Sequence, residues 1–234
     1  LGETMCTMLV KDCGFPAEKV INIPTGIDFA NFSPRLSRQE MRAALGLAAD
    51  TFVVLTVAVI RGVKRHDVAL KAFKLLHAQN PNSRYLIAGE GPMRAPMEQL
   101  ASELGIDAGV QFLGHRTDVA DLIQAADVML LTSRSEAQSQ ALTQSIGLGL
   151  PVVATAVGGV PEVVLHERTG LLVPPDDPEA TAAALLRIAN DPALAKTLGE
   201  QGKAHAHQHY SLEVMLDRSE AVYRQLCQRS AVRP

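Results

Sequence analysis

Apolar residues fall in short dense runs separated by stretches in which they recur every three to four positions. Residues 52–59, Phe-Val-Val-Leu-Thr-Val-Ala-Val, form a β-branched run without alternation. Such a run implies burial on both faces, as in a parallel sheet. A helical period follows at Val68, Ala72, Phe73, Leu75 and Leu76 and ends before Asn80-Pro81. A strand at 84–88 then runs into Gly89-Glu90-Gly91-Pro92, and Met97, Leu100, Ala101 and Leu104 mark the next helix. Gly105 stands where a left-handed cap is expected. The rhythm continues through a strand at 110–113, a helix at 119–125, a strand at 128–131 and a helix over 139–146, with further strands at 152–154 and 171–173. Strands alternating with helices on short loops predict an α/β fold with a doubly wound, mostly parallel sheet.

Both ends of the chain depart from this rhythm. Residues 1–13 read as the end of a helix, and Ile23-Pro24-Thr25-Gly26-Ile27-Asp28 as a turn-rich connector. From Pro178 onward the chain is nearly all helical, with Pro192 restarting it. In the last helix Met215, Val222, Tyr223 and Leu226 share one face of a 3.6-residue period. That apolar face must cover this domain's flank or a partner domain.

Composition narrows the function classes. With 234 residues and 47% hydrophobic content there is material for one well-packed domain. Twenty-two basic against 25 acidic residues give a net charge of −3, a poor footprint for a nucleic-acid binder. The absence of Trp and an aromatic content of 4% leave few base-stacking platforms. No apolar run approaches the roughly 18 residues of a membrane span. The N-terminus has neither a signal-peptide pattern nor an initiator Met, so the chain is expected to begin partway into a longer protein. Cys6, Cys13 and Cys227 are odd in number and lack C-x-x-C spacing, which fits reduced cytosolic thiols. His205 and His209 lie four apart, but without an H-E-x-x-H pattern they read as an exposed polar helix end rather than a metal site. Ser139 has no glycine elbow and no evident His and Asp partners, which argues against hydrolase chemistry.

In an open parallel sheet, ligands bind beyond the C-terminal ends of the strands, and four loops there stand out. Arg61-Gly62-Val63-Lys64-Arg65 brings three cations to a helix N-terminus, either a phosphate site or a solvated basic loop. Gly89 and Gly91 permit close approach to a base or ribose, or only a turn. Glu136 precedes a helix on which Gln140 and Gln144 share a face. These could read a polyhydroxylated ligand, or form an exposed polar face. Thr155 and Gly158-Gly159, before Pro161, suggest a backbone-donor cradle for phosphate.

The order of motifs resembles the retaining nucleotide-sugar glycosyltransferases with two Rossmann-like domains (the GT-B fold, glycosyltransferase group 1). The likeness runs from about residue 3 to about residue 227. Ile23–Asp28 with Phe32-Ser33-Pro34 is similar to the family's interdomain connector. Gly89-Glu90-Gly91-Pro92, Ala125-Ala126-Asp127, Gly149-Leu150-Pro151-Val152-Val153-Ala154-Thr155, Gly158-Gly159-Val160-Pro161-Glu162 and Gly170-Leu171-Leu172-Val173-Pro174-Pro175 follow in the family's order.

The resemblance implies that residues 1–24 end a missing N-terminal domain, that 25–210 form the Rossmann-like donor-binding domain, and that 211–234 form a helix packing toward the missing part. It implies a UDP- or GDP-sugar donor, with the diphosphate on Arg61 and Lys64 and the sugar at Glu136, Ala137, Gln138 and Ser139. The ribose would meet Gln144, and the base Gly89, Gly91, Gly114 and His115, with Gln140, Thr155 and Gly158 as secondary candidates. Two departures stand out. Gln144 replaces the family's second glutamate, and Glu136-Ala137-Gln138-Ser139 replaces E-G-F-G, with loss of both glycines. No catalytic residue falls in this chain, because the acceptor site and active-site His belong to the missing domain. No metal or other cofactor is implied. The full protein would transfer sugar with retention in envelope polysaccharide or lipopolysaccharide synthesis. It would be cytoplasmic, touching the membrane's inner face through the missing domain, and the isolated chain would be inactive. A sugar-nucleotide epimerase, a phosphorylase-like enzyme and a non-catalytic nucleotide-binding or scaffold module are the competing readings.

Overall fold

Six strands form the sheet, β1 Phe52–Val57, β2 Ser83–Ala88, β3 Val110–Gly114, β4 Val128–Leu131, β5 Val152–Thr155 and β6 Leu171–Val173. The structure, a computed structural model, describes residues 2–231, with side chains through Gln228. All neighbouring strands are parallel, in the order β3-β2-β1-β4-β5-β6. Leu55 is paired with Leu86 on one side and Met129 on the other. The chain therefore reverses its direction of winding between β1 and β4, which opens a crevice at their C-terminal ends. The sheet is the doubly wound α/β architecture expected of the sequence.

The apolar runs divide between two faces by the period of two. Val53, Leu55, Met129, Leu131, Val152 and Ala154 pack on one side, while Val54, Val128, Leu130 and Val153 pack on the other. The first face is covered by α2 Arg38–Ala44, α5 Val119–Ala125 and α6 Gln140–Gly147, through Met41, Leu122, Leu142 and Ile146. The second is covered by α3 His66–Gln79, α4 Arg94–Glu103 and α8 Pro178–Asn190, through Phe73, Leu76, Met97 and Leu185. β1 ends at Val57 rather than 59. Beyond it the main chain follows the 89–91 turn, with Ile60 N–H donating to the Glu90 carbonyl at 3.0 Å.

Local signals set the helix ends. Ser37 and Glu40 form a reciprocal capping box on α2. Asp177 and Asp191 cap α8 and α9 Pro192–Tyr210, each with proline at the first helical position. Gly105 takes φ +69° after α4, the left-handed conformation its position called for.

The Asp127 carboxylate ties α2 to the sheet. It accepts from Arg42 at 2.7 Å, from Arg38, and from the Val53 N–H at 2.7 Å. Arg42 is nearly buried and also donates to the carbonyls of Ala125, Ala49 and Thr51.

At the ends, α1 Glu3–Lys11 lies against the sheet's C-terminal edge, and the connector joins the C-terminal helices. Ile27 N–H donates to the Tyr210 carbonyl (2.8 Å), and Leu212 N–H donates to the Ile27 carbonyl (2.9 Å), just where α9 gives way to α10 Leu212–Ala231. The apolar stripe of α10 is divided. Met215 is half-buried and its sulfur accepts the Gly26 N–H, whereas Leu216, Tyr223 and Leu226 are exposed. Residue 1 and residues 232–234 of the sequence-based domain boundaries lie outside the described residues. Among the described residues no helix is long and apolar enough to cross a membrane.

Replacing Asp127 with Ala leaves the Arg42 guanidinium without its counter-ion. Breaking a buried pair costs roughly 3–5 kcal/mol. The carbonyls that still accept from Arg42 place the expected loss near the lower bound, about 3 kcal/mol, as measured by urea denaturation.

Candidate functional site

Each strand delivers its following loop to the same edge of the sheet, so the loops stand side by side in strand order. At the centre are those after β1 and β4. The β1 loop makes a 3₁₀ turn over Gly62–Lys64 and is held by its neighbour through the main chain. Arg134 N–H donates to the Val63 carbonyl at 2.8 Å, and the Thr132 hydroxyl donates to the Lys64 and Arg65 carbonyls at 3.2 and 2.9 Å.

This fixes where the Lys64 side chain points. Its Nζ lies 2.6 Å from Oε1 of Glu136, which also accepts from the Ser133 hydroxyl at 2.6 Å. The Glu136 side chain is 8% exposed and that of Lys64 24%. The pair is thus sheltered enough to hold its geometry and open enough to meet a ligand. Arg65, at φ +51°, is engaged differently. It pairs bidentately with Asp67 and also with Asp176 of the loop after β6, which in turn pairs with Arg134 at 3.0 Å. Arg61 is exposed and forms no ion pair among the described residues.

The glycines do different work from that expected of them. A Cβ on Gly158 would stand 1.9 Å from the Glu136 carbonyl oxygen, and one on Gly159 2.0 Å from that of Ala137. Gly159 N–H donates to the Glu136 carbonyl (3.0 Å), and Val160 N–H to that of Val157 (3.0 Å). The Gly159 and Val160 donors are thus spent inside the protein. The two glycines let the Thr155–Gly159 loop press against the Glu136 loop. Likewise, Cβ atoms on Gly89 and Gly91 would lie 1.9 and 2.4 Å from the Ala58 and Ile60 carbonyl oxygens. The close approach they permit is that of the β1 loop. Gly89 N–H donates to the Gly114 carbonyl at 2.8 Å, leaving exposed His115 just beyond, two strands from Lys64.

Other nominated residues separate. The Ser139 hydroxyl accepts from Leu142 N–H as the N-cap of α6, and Thr155 donates to the Ser133 carbonyl at 2.6 Å. Both are buried. The Gln138 amide turns away toward the main chain of Thr25. On α6, Gln140 is exposed and Gln144 half-buried. Ala137, with Glu136, Ser135, Gly158 and Gly159, forms one wall of a cavity of about 530 Å³.

The opposite wall was not foreseen from the sequence. It is α1, through Thr4, Thr7, Met8 and Lys11. The helix is anchored by Glu162, whose carboxylate accepts from the main-chain N–H groups of Glu3 (2.7 Å) and Thr4 (3.0 Å) and from the Thr4 hydroxyl (3.0 Å). A carboxylate on a helix N-terminus is favoured by both the unpaired N–H groups and the dipole. Glu162 ends the G-G-V-P-E motif, but nothing near it in the sequence announces a partner more than 150 residues away.

Two histidines are more enclosed than the sequence suggested. His205 is half-buried, with its ring 4.8 Å from that of His209, and burial pushes its pKa down. His66, at the start of α3, is buried, with Nε2 3.4 Å from the Val59 carbonyl. Burial, aided by the charge of Lys64, holds its pKa below the ordinary 6.5, while the Val59 contact opposes the shift. Among the described residues no group of three or more His, Cys, Asp or Glu is placed to hold a metal ion.

Two outcomes follow from this geometry. Because His66 has a lowered pKa when folded, the unfolded chain binds its proton first as pH falls. The stability from a neutral His66 is therefore full above the unfolded value and declines as pH drops below about 6.5. Thermal melts should shift downward between about pH 7.5 and about pH 5.5, and His66→Gln should reduce that dependence, the remainder coming from His77 and His205, whose pKa values burial also lowers. Gly158→Ala, at φ +51° and against a carbonyl oxygen, should lower stability by about 2 kcal/mol or more in denaturant titrations. A variant as stable as the parent would show that the loop can move aside.

Comparison with known proteins agrees with the fold and supplies the family. Residues 37–205 match the model for glycosyl transferases group 1. The D-inositol 3-phosphate glycosyltransferase of Saccharomonospora viridis is 36% identical over 220 residues, covering 89% of this chain and 50% of that protein. The N-acetyl-alpha-D-glucosaminyl L-malate synthase of Bacillus anthracis is 28% identical over 184 residues, covering 79% and 48%. The chain thus spans about half the length of the curated relatives it matches. Among solved structures, Anabaena HepE in complex with UDP and glucose superposes with a TM-score of 0.87 at 23% identity, over 97% of this chain and 61% of that one. Motif order, sheet topology and the extent of the family match lead to one assignment: this chain belongs to the glycosyl transferases group 1.

Proposed function

We propose that this chain is the donor-binding half of a retaining glycosyltransferase that uses a nucleoside-diphosphate sugar. The observation that carries the reading is the sheltered Lys64–Glu136 pair at the β1/β4 crevice. It sets a cation for phosphate beside a carboxylate for hydroxyl groups, and the carboxylate residue, Glu136, also lines a cavity of about 530 Å³. The Anabaena neighbour, with UDP and glucose, supports a uridine nucleotide.

In this reading Lys64, Arg61 and the N-terminal amides of α3 hold the diphosphate. They stabilise the charge that grows on it as the glycosidic bond breaks. Glu136 serves as the resident counter-ion of Lys64 until the diphosphate replaces it. It then accepts hydrogen bonds from the sugar, with Ser133 keeping Oε1 in place. Gln144 meets the ribose through a neutral amide, and the Gly89–Gly114 side of the edge, with His115, lies toward the base. Basic residues and helix amides take the charge that a metal would otherwise bear.

The acceptor is met by the N-terminal domain that the family resemblance implies, and the isolated chain transfers no sugar. Relatives named for inositol 3-phosphate and L-malate favour a small hydroxylated acceptor that carries an anionic group. An envelope polysaccharide or lipopolysaccharide acceptor, at the inner face of the membrane, is the second reading and rests on the family resemblance. Product analysis with the longer protein separates transfer from epimerisation or phosphorolysis.

The direct test titrates this chain with UDP, GDP and ADP by calorimetry. One nucleotide is expected to bind saturably, and Lys64→Ala to weaken it about tenfold or more, which corresponds to about 1.4 kcal/mol. Binding that ignores Lys64→Ala would remove the phosphate assignment. Glu136→Gln frees Lys64 from its counter-ion. It should leave UDP binding at least as tight and abolish any extra affinity of UDP-glucose over UDP.

A further inference from the structure

The Gln138 amide makes two hydrogen bonds, and both go to one residue of the connector. Thr25 N–H donates to Oε1 at 3.0 Å, and Nε2 donates to the Thr25 carbonyl at 3.2 Å. The side chain thus behaves like one rung of a strand, satisfying the main chain on both its polar groups. Gln138 stands two residues after Glu136, on the loop that carries the Lys64 pair, and one residue before the Ser139 cap that fixes that loop to α6.

Thr25 lies next to a rigid joint. Gly26 leaves no room for a Cβ, which would meet the Ser211 carbonyl oxygen at 2.7 Å, and Ile27 is bonded on both sides to the α9–α10 junction. A second path reaches the same region. Glu162 holds the start of α1, and the Tyr210 hydroxyl donates to the Glu162 carbonyl at 2.6 Å. The loops that shape the cavity are therefore tied by side chains to the connector and to the joint with α10.

We infer that Gln138 is a positioning residue that couples occupancy of the Lys64–Glu136 site to the order of the connector at Thr25. This rests on the nucleotide-sugar reading above. A diphosphate that takes Lys64 from Glu136 frees the Glu136 carboxylate while the Glu136 carbonyl stays bonded to the Gly159 N–H, so the readjustment falls on residues 137–138. Because Gln138 bonds main-chain groups of Thr25 rather than a side chain, a change in that segment is passed to the connector as a change in main-chain order. A ligand that orders the loop strengthens both Thr25 bonds.

The test measures exchange of the Thr25 amide by NMR, with and without UDP-glucose at concentrations that saturate each variant in calorimetry. In the parent chain, saturating UDP-glucose is expected to slow Thr25 exchange at least about threefold. In Gln138→Leu the amide should exchange faster without ligand and show no ligand response. Gln138→Glu keeps an acceptor for the Thr25 N–H but turns a carboxylate oxygen toward the Thr25 carbonyl, so it should recover part of the response, which a general packing defect would not allow. Saturable binding in the parent without a change at Thr25 overturns the coupling and leaves the donor-binding reading standing. A full ligand response in Gln138→Leu does the same. Absence of UDP-glucose binding to the parent chain overturns both.

Discussion

Where β1 and β4 lie side by side, the chain leaves the sheet toward opposite flanks, and the site depends on what holds the two departing loops together. The main chain does most of this. Arg134 N–H and the Thr132 hydroxyl fasten the β1 loop to the β4 loop through carbonyl oxygens. Gly159 N–H then fastens the β5 loop to the Glu136 carbonyl. Side chains of opposite charge, Lys64 and Glu136, are presented by loops already fixed, so their ion pair needs little further ordering. A pair formed between two floppy loops would lose much of its gain to that ordering.

The same economy explains the glycines. Gly89, Gly91, Gly158 and Gly159 all sit where a neighbouring loop's carbonyl oxygen would lie within 2.4 Å of a Cβ. They allow adjacent loops to touch backbone to backbone, which builds a continuous rim from β3 to β5. At Gly158-Gly159 this differs from the phosphate cradle that a Gly-Gly before a helix suggests, because the Gly159 N–H is bonded to the Glu136 loop.

The connector and the terminal helices are built into this rim rather than appended to it. Glu162 caps α1, Gln138 clasps Thr25, and Ile27 bridges to the junction of α9 and α10. The first two use a polar side chain on main-chain groups, and the third is main chain on both sides, so all three fix the path of the chain. Leu216 and Tyr223 of α10 remain exposed.

The sheet and its helices were legible in the sequence because their signal is local. Runs such as 52–55 and 128–131 are apolar at every position, the pattern of a strand buried on both faces. The Asp177 and Asp191 caps and the Gly105 terminus act within a few residues, so helix limits follow from the same stretch of chain. The row of loops followed from the rule that such sheets present their loops at one edge, but that the β1 and β4 loops are neighbours, and that Lys64 meets Glu136, was decided by the strand order. Tertiary structure alone decided that Gln138 turns to Thr25 and that Glu162 receives α1. It also decided that α1 forms a wall of the cavity. These depend on which carbonyls and N–H groups come within hydrogen-bonding distance once segments more than 100 residues apart are folded together. A side chain's local sequence carries no record of that distance, so its role is set by the fold and not by its neighbours in the chain.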